Sequence, residues 1–239
     1  MIGLKPISGS RSVAIVAVFA ALHTILDSIP IHLFRGWAVY LEPLEGIILG
    51  PRLGILTAVI GGSVSRGVAG ASMFSFIYGV TGESVGVAVA GLLMKGRWRV
   101  VAAIYAFMLG AYFAHPYGTI LPVWTILDCL VAFALVYPTA RLAKNVLDRD
   151  TRIRWVALAV MLLSFVSTVA HSLVMVFILI PAGMHNVEFG TFEAVYYAFV
   201  VGAAGSYFED AIAVVVSLVA YVPLLLFLRR SEIVPMPLS

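Results

Sequence analysis

Long apolar runs recur along the whole chain, and they constrain its fold more than any other feature of the sequence. Most of them approach the roughly 20 residues that a helix needs to cross a hydrocarbon core of about 30 Å. Only 11% of the 239 residues are charged and 62% are hydrophobic, whereas a soluble domain has about 25% charged residues. Because a backbone in lipid must satisfy its own hydrogen bonds, the sequence predicts an all-α, multi-pass protein of the plasma membrane.

The breaks between the apolar runs predict a single transmembrane domain, 1–239, built as a bundle of six to eight helices. The segments 38–50 and 53–66 are short, since a helix of about 13 residues reaches only about 20 Å. They are predicted to form either two tilted spans or one re-entrant hairpin that turns at Gly50 and Pro51. The predicted spans lie at about 12–29, 38–50, 53–66, 73–94, 100–114, 119–140, 155–180 and 207–228.

The basic residues predict the orientation of these segments. If the N-terminus is cytoplasmic and each segment crosses once, only Arg35 and Arg66 among the 15 basic residues fall on the outer side. This bias follows the positive-inside rule and predicts that both termini are cytoplasmic. The basic residues are therefore interpreted as topology markers beside a lipid bilayer, and nucleic acid is not an expected partner.

Acidic and aromatic residues are concentrated on the predicted outer side. An interfacial aromatic belt and solvated loop acids explain many of them. Glu83 and Asp128 differ, because they fall inside predicted spans, where an ionisable group is costly and usually faces a cavity or a partner. A ligand-binding site is therefore predicted from Glu42, Glu45, Glu83, Asp128, Trp37, Tyr40, Tyr78 and Trp124.

Glu42 and Glu45 also have a structural explanation. Acidic residues in the first turn of a helix face the positive end of its dipole. Pro43 is tolerated in that turn because its missing N–H would be unpaired there anyway. Glu45 lies one turn deeper than Glu42, which makes it the stronger functional candidate of the two.

No motif in the sequence indicates catalysis, metal binding or nucleotide hydrolysis. HExxH and phosphate-binding glycine loops are absent, and neither an enzyme activity nor a cofactor or metal is expected. Cys129 is the sole cysteine, which excludes an intramolecular disulfide. His171 is predicted to form a hydrogen bond between helices. A membrane enzyme that acts on lipids, with His115 or His171 as its base, is a minor alternative.

Several segments resemble the substrate-capture (S) subunits of energy-coupling factor (ECF) vitamin transporters. The stretch LEPLEGIILGPRLGILTAVIGGSVSRGV is similar to the region of helices 2 and 3 in that family, and FSFIYGVTGESVGVAVAGLLMKGRWR to the fourth helix. YFEDAIAVVVSLVAYVPLLLFLRR is similar to the last helix. Ala17 and Ala21 match the small-residue pattern that the first helix of the family offers to a coupling subunit. Those subunits usually have six helices, and residues 100–180 have no clear counterpart in them.

The resemblance implies a membrane-embedded binder of a vitamin or similar micronutrient, which works with a membrane coupling subunit and two cytoplasmic ATPases. Outer carboxylates ringed by aromatic side chains suit a small cationic or amine-bearing ring, because aromatic faces attract cations. A thiamine-like compound fits these residues better than an anionic one such as biotin. The alternative is a proton-coupled secondary transporter, because carboxylates at membrane depth suit a proton relay and the segments in 38–66 resemble interrupted helices.

Overall fold

The computed structural model describes residues 9–29, 35–148 and 150–231, and this part of the chain contains helices but no strands. Short 3-10 turns lie at Trp37–Tyr40 and Val123–Ile126, and a π-helical segment at Ser217–Tyr221 joins the last two helices. The helices are α1 (Gly9–Asp27), α2 (Glu42–Val68), α3 (Met73–Met94), α4 (Trp98–Ala114), α5 (Pro116–Ile120), α6 (Leu127–Ala143), α7 (Ile153–Leu179), α8 (His185–Glu188), α9 (Phe192–Val216) and α10 (Val222–Ser231).

Five helical stretches in the described residues are long and apolar enough to cross a membrane, and α1 and α4 are shorter apolar helices. The chain is thus a multi-pass helical membrane protein, as predicted. The location of both termini in the cytoplasm stays a prediction, because residues 1–8 and 232–239 lie outside the described residues. The five stretches are Glu42–Val68, Met73–Met94, Val123–Ala143, Ile153–Leu179 and Phe192–Arg229. The first of them bends at Gly50, so its length is divided between two limbs.

Helix α7 lies at the centre of the bundle and packs against α2, α3, α4, α6 and α9. Its residues Leu163, Val166 and Leu173 are completely buried. The hydroxyl of Tyr105 on α4 donates a hydrogen bond of 2.6 Å to the carbonyl oxygen of Val166. Because both groups are inaccessible to water, this bond satisfies a hydroxyl that would otherwise be costly to bury.

A sharp bend at Gly50 divides α2 into two limbs. Gly50 has φ 75° and ψ −179°, a backbone conformation that is essentially restricted to glycine. Both limbs lie against the same part of α3, because Cβ atoms added to Gly46 and Gly54 would lie 2.6 and 2.4 Å from atoms of Val87. The chain therefore turns back on itself at Gly50, as the hairpin prediction requires.

The first limb, 42–49, is a half-helix inside the protein. All of its residues are buried, and eight residues of helix rise only about 12 Å, much less than the thickness of a bilayer. Its first residue, Glu42, lies beside Gly86 in the middle of α3, where a Cβ atom would overlap the Glu42 carboxylate. A helix can begin at this depth because the surrounding protein shields its backbone from lipid.

Two boundaries differ from the sequence prediction. Helix α9 begins at Phe192, whereas the predicted last span begins at 207. The added turns are helical because the Thr191 hydroxyl caps them by accepting a hydrogen bond from Ala194 N. The segment predicted at 119–140 is divided, because α5 ends at Ile120 and α6 begins only at Leu127, after the 3-10 turn.

Candidate functional site

The first cavity, of about 290 Å³, lies at the end of the bundle opposite the α3–α4 connection, which carries Lys95 and Arg97. Its walls come from the first turns of α3 and α6 and the last turns of α7. The sequence predicts that these helix ends lie on the outer side of the membrane. The apolar wall of the cavity includes Phe74, Tyr78, Met175, Phe189 and Phe199. Its polar lining includes Arg35, Asp128, Ser172, Ser206 and Glu209.

Arg35 is the cation of the first cavity. Its Nε donates to Glu209 Oε2 at 2.6 Å, its Nη2 to Asp210 Oδ1 at 2.9 Å and its Nη1 to Ser172 Oγ at 2.7 Å. Backbone carbonyls of α7 and α9 accept from the remaining guanidinium hydrogens. Burial alone would lower the pKa of Arg35, but the carboxylates of Asp210 and Glu209 raise it above its usual value. Arg35 is therefore a permanent cation whose donors are all engaged.

Asp128 supplies acceptor oxygens to the same cavity. Its Oδ1 accepts a hydrogen bond of 2.8 Å from Cys129 N, and its Oδ2 accepts one of 3.3 Å from Ser206 Oγ. A carboxylate has about four acceptor positions, and the two hydrogen bonds described for Asp128 leave capacity for a further donor. Glu188 adds an exposed carboxylate to the lining. The first cavity therefore offers acceptors and negative charge, whereas the donors of Arg35 are already occupied.

A second cavity of about 350 Å³ adjoins the first, and both are lined by Arg35, Phe74, Tyr78 and Met175. Tyr78 is 7% exposed, and its hydroxyl has no hydrogen-bond partner among the described residues. The polar lining that belongs to the second cavity alone includes Asp27, Ser65, Arg66, Glu83 and His171.

Arg66 binds two carboxylates in the second cavity. Its Nη2 donates to Glu83 Oε1 at 2.6 Å and its Nη1 donates to Glu83 Oε2 at 3.2 Å. The same Nη1 lies 3.0 Å from Asp27 Oδ2, and Asp27 also accepts a hydrogen bond from the Ser65 hydroxyl. Salt bridges from Arg66 therefore connect α2 to both α1 and α3.

His23 extends this network into the interior. Its Nδ1 lies 3.1 Å from Glu45 Oε1, and its Nε2 lies 3.2 Å from Glu83 Oε2. Nδ1 is hydrogen-bonded to Glu45, whereas Nε2 approaches Glu83 without hydrogen-bond geometry and has no hydrogen-bond partner among the described residues. A second hydrogen on the imidazole would place a positive charge between the two carboxyl groups.

A second histidine–carboxyl pair begins at the wall of the second cavity, where Nδ1 of His171 lies 2.6 Å from Oε1 of the more deeply placed Glu42. The second oxygen of Glu42 has no hydrogen-bond partner within the described residues, although the side chain is completely buried. The predicted role of His171 as a bond between helices is confirmed, because Glu42 belongs to α2 and His171 to α7.

The structure brings three of the eight predicted ligand-binding residues to the cavities. Asp128 lines the first cavity, Glu83 the second, and Tyr78 both. Glu42 and Glu45 lie deeper, as fully buried partners of histidines.

The predicted aromatic ring does not form around the cavities. Trp37 and Trp124 are 39% and 47% exposed and line neither cavity. Tyr40 packs instead in a small cluster with Val39 and Ala213. The aromatic lining of the first cavity comes from Phe74, Tyr78, Phe189 and Phe199.

The two basic residues on the predicted outer side are the ones that the sequence interpretation missed. Arg35 and Arg66 are the two exceptions to the positive-inside bias, and each is held between two carboxylates. Their position on the predicted outer side, against the positive-inside rule, was the one feature of the sequence that could have indicated a functional role for them. His23 and Asp27 were missed as well: they are four residues apart on α1 and so share a helix face, but nothing in the sequence indicates that this face meets α2 and α3.

The histidines have structural partners. His115 Nδ1 accepts a hydrogen bond from Tyr117 N and caps α5, and burial together with nearby His185 lowers the pKa of His115. His171 is engaged by Glu42, as described above. Among the described residues, no three His, Cys, Asp or Glu side chains are placed to hold a metal ion.

Ala17 and Ala21, the predicted coupling residues, are exposed on α1. Both line a groove between α1 and the second limb of α2. The surrounding surface is apolar, since Val13 and Val18 are 68% and 67% exposed.

Comparison of the chain with known protein families, with characterised proteins and with solved structures finds no match.

Proposed function

We propose that this protein captures a small cationic or amine-bearing solute from the outer side of the membrane and binds it in the first cavity. The observation that carries the proposal is the contrast between Arg35, whose donors are all engaged, and Asp128, which retains acceptor capacity beside aromatic walls. An anionic ligand would find no available donor on Arg35. A cation gains both the Asp128 carboxylate and the faces of the aromatic rings.

The proposed cellular role is that of the substrate-capture subunit of an ECF-type importer for a vitamin or a related micronutrient. In this role Ala17 and Ala21 contact a membrane coupling subunit, which two cytoplasmic ATPases drive. The apolar, exposed face of α1 is compatible with a helical partner, because small residues allow helices to approach closely in a bilayer. Purification from native membranes tests this role, since we expect an ATPase with a phosphate-binding loop to co-purify.

Ligand charge is tested by thermal unfolding of the purified protein with thiamine, choline, biotin and pantothenate. We expect a cationic member of this panel to raise the melting temperature, and Asp128→Asn to abolish that rise. Glu193→Gln is the matched control, because Glu193 is an exposed acid of α9 that lines neither cavity. Stabilisation by the anionic vitamins alone would contradict the proposal.

The second candidate function is proton-coupled secondary transport. It is favoured by the series of contacts from Asp27 through Arg66, Glu83 and His23 to Glu45. Such a series at membrane depth suits a proton relay, and the half-helix at 42–49 resembles the interrupted helices of transporters. Uptake of the cation into proteoliposomes that lack an ATPase, driven by a pH gradient, would favour this function over the first.

A further inference from the structure

Carboxyl groups outnumber cationic groups around the second cavity. The cluster formed by Asp27, Glu45, Glu83, Arg66 and His23 contains three carboxyl groups and one guanidinium. The most positive form of this cluster that keeps its carboxylates ionised has a second hydrogen on the imidazole of His23, which lies between Glu45 and Glu83. With that hydrogen counted, the cluster still has one negative charge in excess.

The elements packed around the cluster do not neutralise this excess. The cationic Arg35 lies on the cavity wall, but Glu209 and Asp210 already bind it. From α7, His171 faces the cavity and is paired with Glu42 of α2. An uncompensated charge in a buried site is costly, so this cluster favours a proton or a cation beside it.

The volume and the lining of the second cavity favour a cation over a proton. Its volume of about 350 Å³ is enough for an organic group. Asp27 and Glu83 contribute carboxyl groups to its lining, and Phe74 and Tyr78 contribute aromatic rings. The Tyr78 hydroxyl, which has no partner within the described residues, adds a further acceptor. Carboxylates together with aromatic rings are what an ammonium group prefers.

We propose that the second cavity is a cation site of its own, in which an ammonium group binds beside Asp27 and Glu83 and takes the place of a proton. The site shares Phe74 and Tyr78 with the first cavity, but its carboxyl groups, Asp27 and Glu83, line the second cavity alone. At low pH a proton neutralises the cluster. As the pH rises the proton leaves, and the cavity attracts cations more strongly.

The test uses a cysteine placed in the second cavity and needs no knowledge of the natural ligand. Ser75 lines this cavity and not the first, and cysteine differs from serine by one atom. In a Cys129→Ser background, Ser75→Cys is reacted with two methanethiosulfonates of fixed charge, the trimethylammonium-ethyl reagent and the sulfonatoethyl reagent. The ratio of their rates cancels the ionisation of the thiol itself. Thr119→Cys, on exposed α5 outside both cavities, supplies the reference ratio.

We expect the cationic reagent to be favoured at Ser75→Cys over the reference by on the order of tenfold at pH 8.5, the size of effect that one nearby charge produces in a partly shielded site. The preference should decline toward the reference as the pH is lowered to 6. Adding Asp27→Asn should remove it, and Glu83→Gln provides a second variant if the first does not fold. A ratio equal to the reference at pH 8.5 would overturn the cation site, and a preference that does not change with pH would overturn the exchange with a proton.

Discussion

Replacement of Arg35 by methionine is expected to destabilise the protein strongly. Arg35 connects α7 to α9 through Ser172, Glu209 and Asp210, and its side chain is 4% exposed. Methionine has a similar length but no charge, so the variant leaves two buried carboxylates without their cation. Breaking a buried ion pair from one side costs about 3–5 kcal/mol. A chain of this size loses about 2–4 °C of melting temperature for each kcal/mol, which gives an expected decrease of about 6–20 °C.

The decrease is measured as the melting temperature of the purified protein in detergent, followed by far-ultraviolet circular dichroism. Arg99→Met is the matched control, since Arg99 is exposed. Its guanidinium lies 5.5 Å from the centre of the Trp98 ring. Exposed substitutions of this kind change stability by about 0.5 kcal/mol or less.

A rescue variant separates the loss of charge from the loss of packing. If the unpaired carboxylates cause the destabilisation, then Glu209→Gln and Asp210→Asn in the Arg35→Met background should recover much of the lost melting temperature. The reasoning would be refuted if Arg35→Met melted within a few degrees of Arg99→Met, or if the triple variant were less stable than Arg35→Met alone.

Three further expectations concern other parts of the molecule. Gly50→Ala should lower the melting temperature, because alanine in this backbone conformation costs about 1–3 kcal/mol. Gly67→Ala should not, because Gly67 has an ordinary φ and open space around it. Equal melting temperatures of the two variants would contradict the hairpin bend. Tyr105→Phe should destabilise by about 1 kcal/mol, measured in the same assay, because it removes the hydrogen bond to Val166. Thr119→Cys should react with an impermeant maleimide in intact cells and Lys144→Cys only after permeabilisation; the reverse pattern would show that the predicted orientation is inverted.

The helices could be predicted from the sequence because lipid imposes a simple rule on composition and length. The apolar run at 73–94 coincides with α3, since no proline interrupts it and Glu83 is its single charged residue. The hairpin at Gly50 was also within reach, because a Gly-Pro pair between two short apolar runs is a recognisable break. The start of α9 was not, because its first turns carry exposed acidic and tyrosine residues that are typical of a loop.

The candidate site was only partly predictable, because depth in the bilayer can be estimated from sequence but partners cannot. Glu83 and Asp128 stood out as acids inside apolar runs, and both line cavities. Arg35 lies 174 residues before Glu209, so no local pattern could connect them. Glu45 was singled out as a ligand residue, yet its neighbour in space is His23, which packing alone brings within reach.

The central claim, that the first cavity holds a cationic solute, is tested most directly by identifying the small molecule that the protein retains. The protein is purified from native membranes without added ligand and denatured, and the released compounds are identified by mass spectrometry. We expect a compound with a cationic nitrogen, present in the wild-type sample and absent from Asp128→Asn. Release of a carboxylate or phosphate compound that Asp128→Asn retains equally well would contradict the claim.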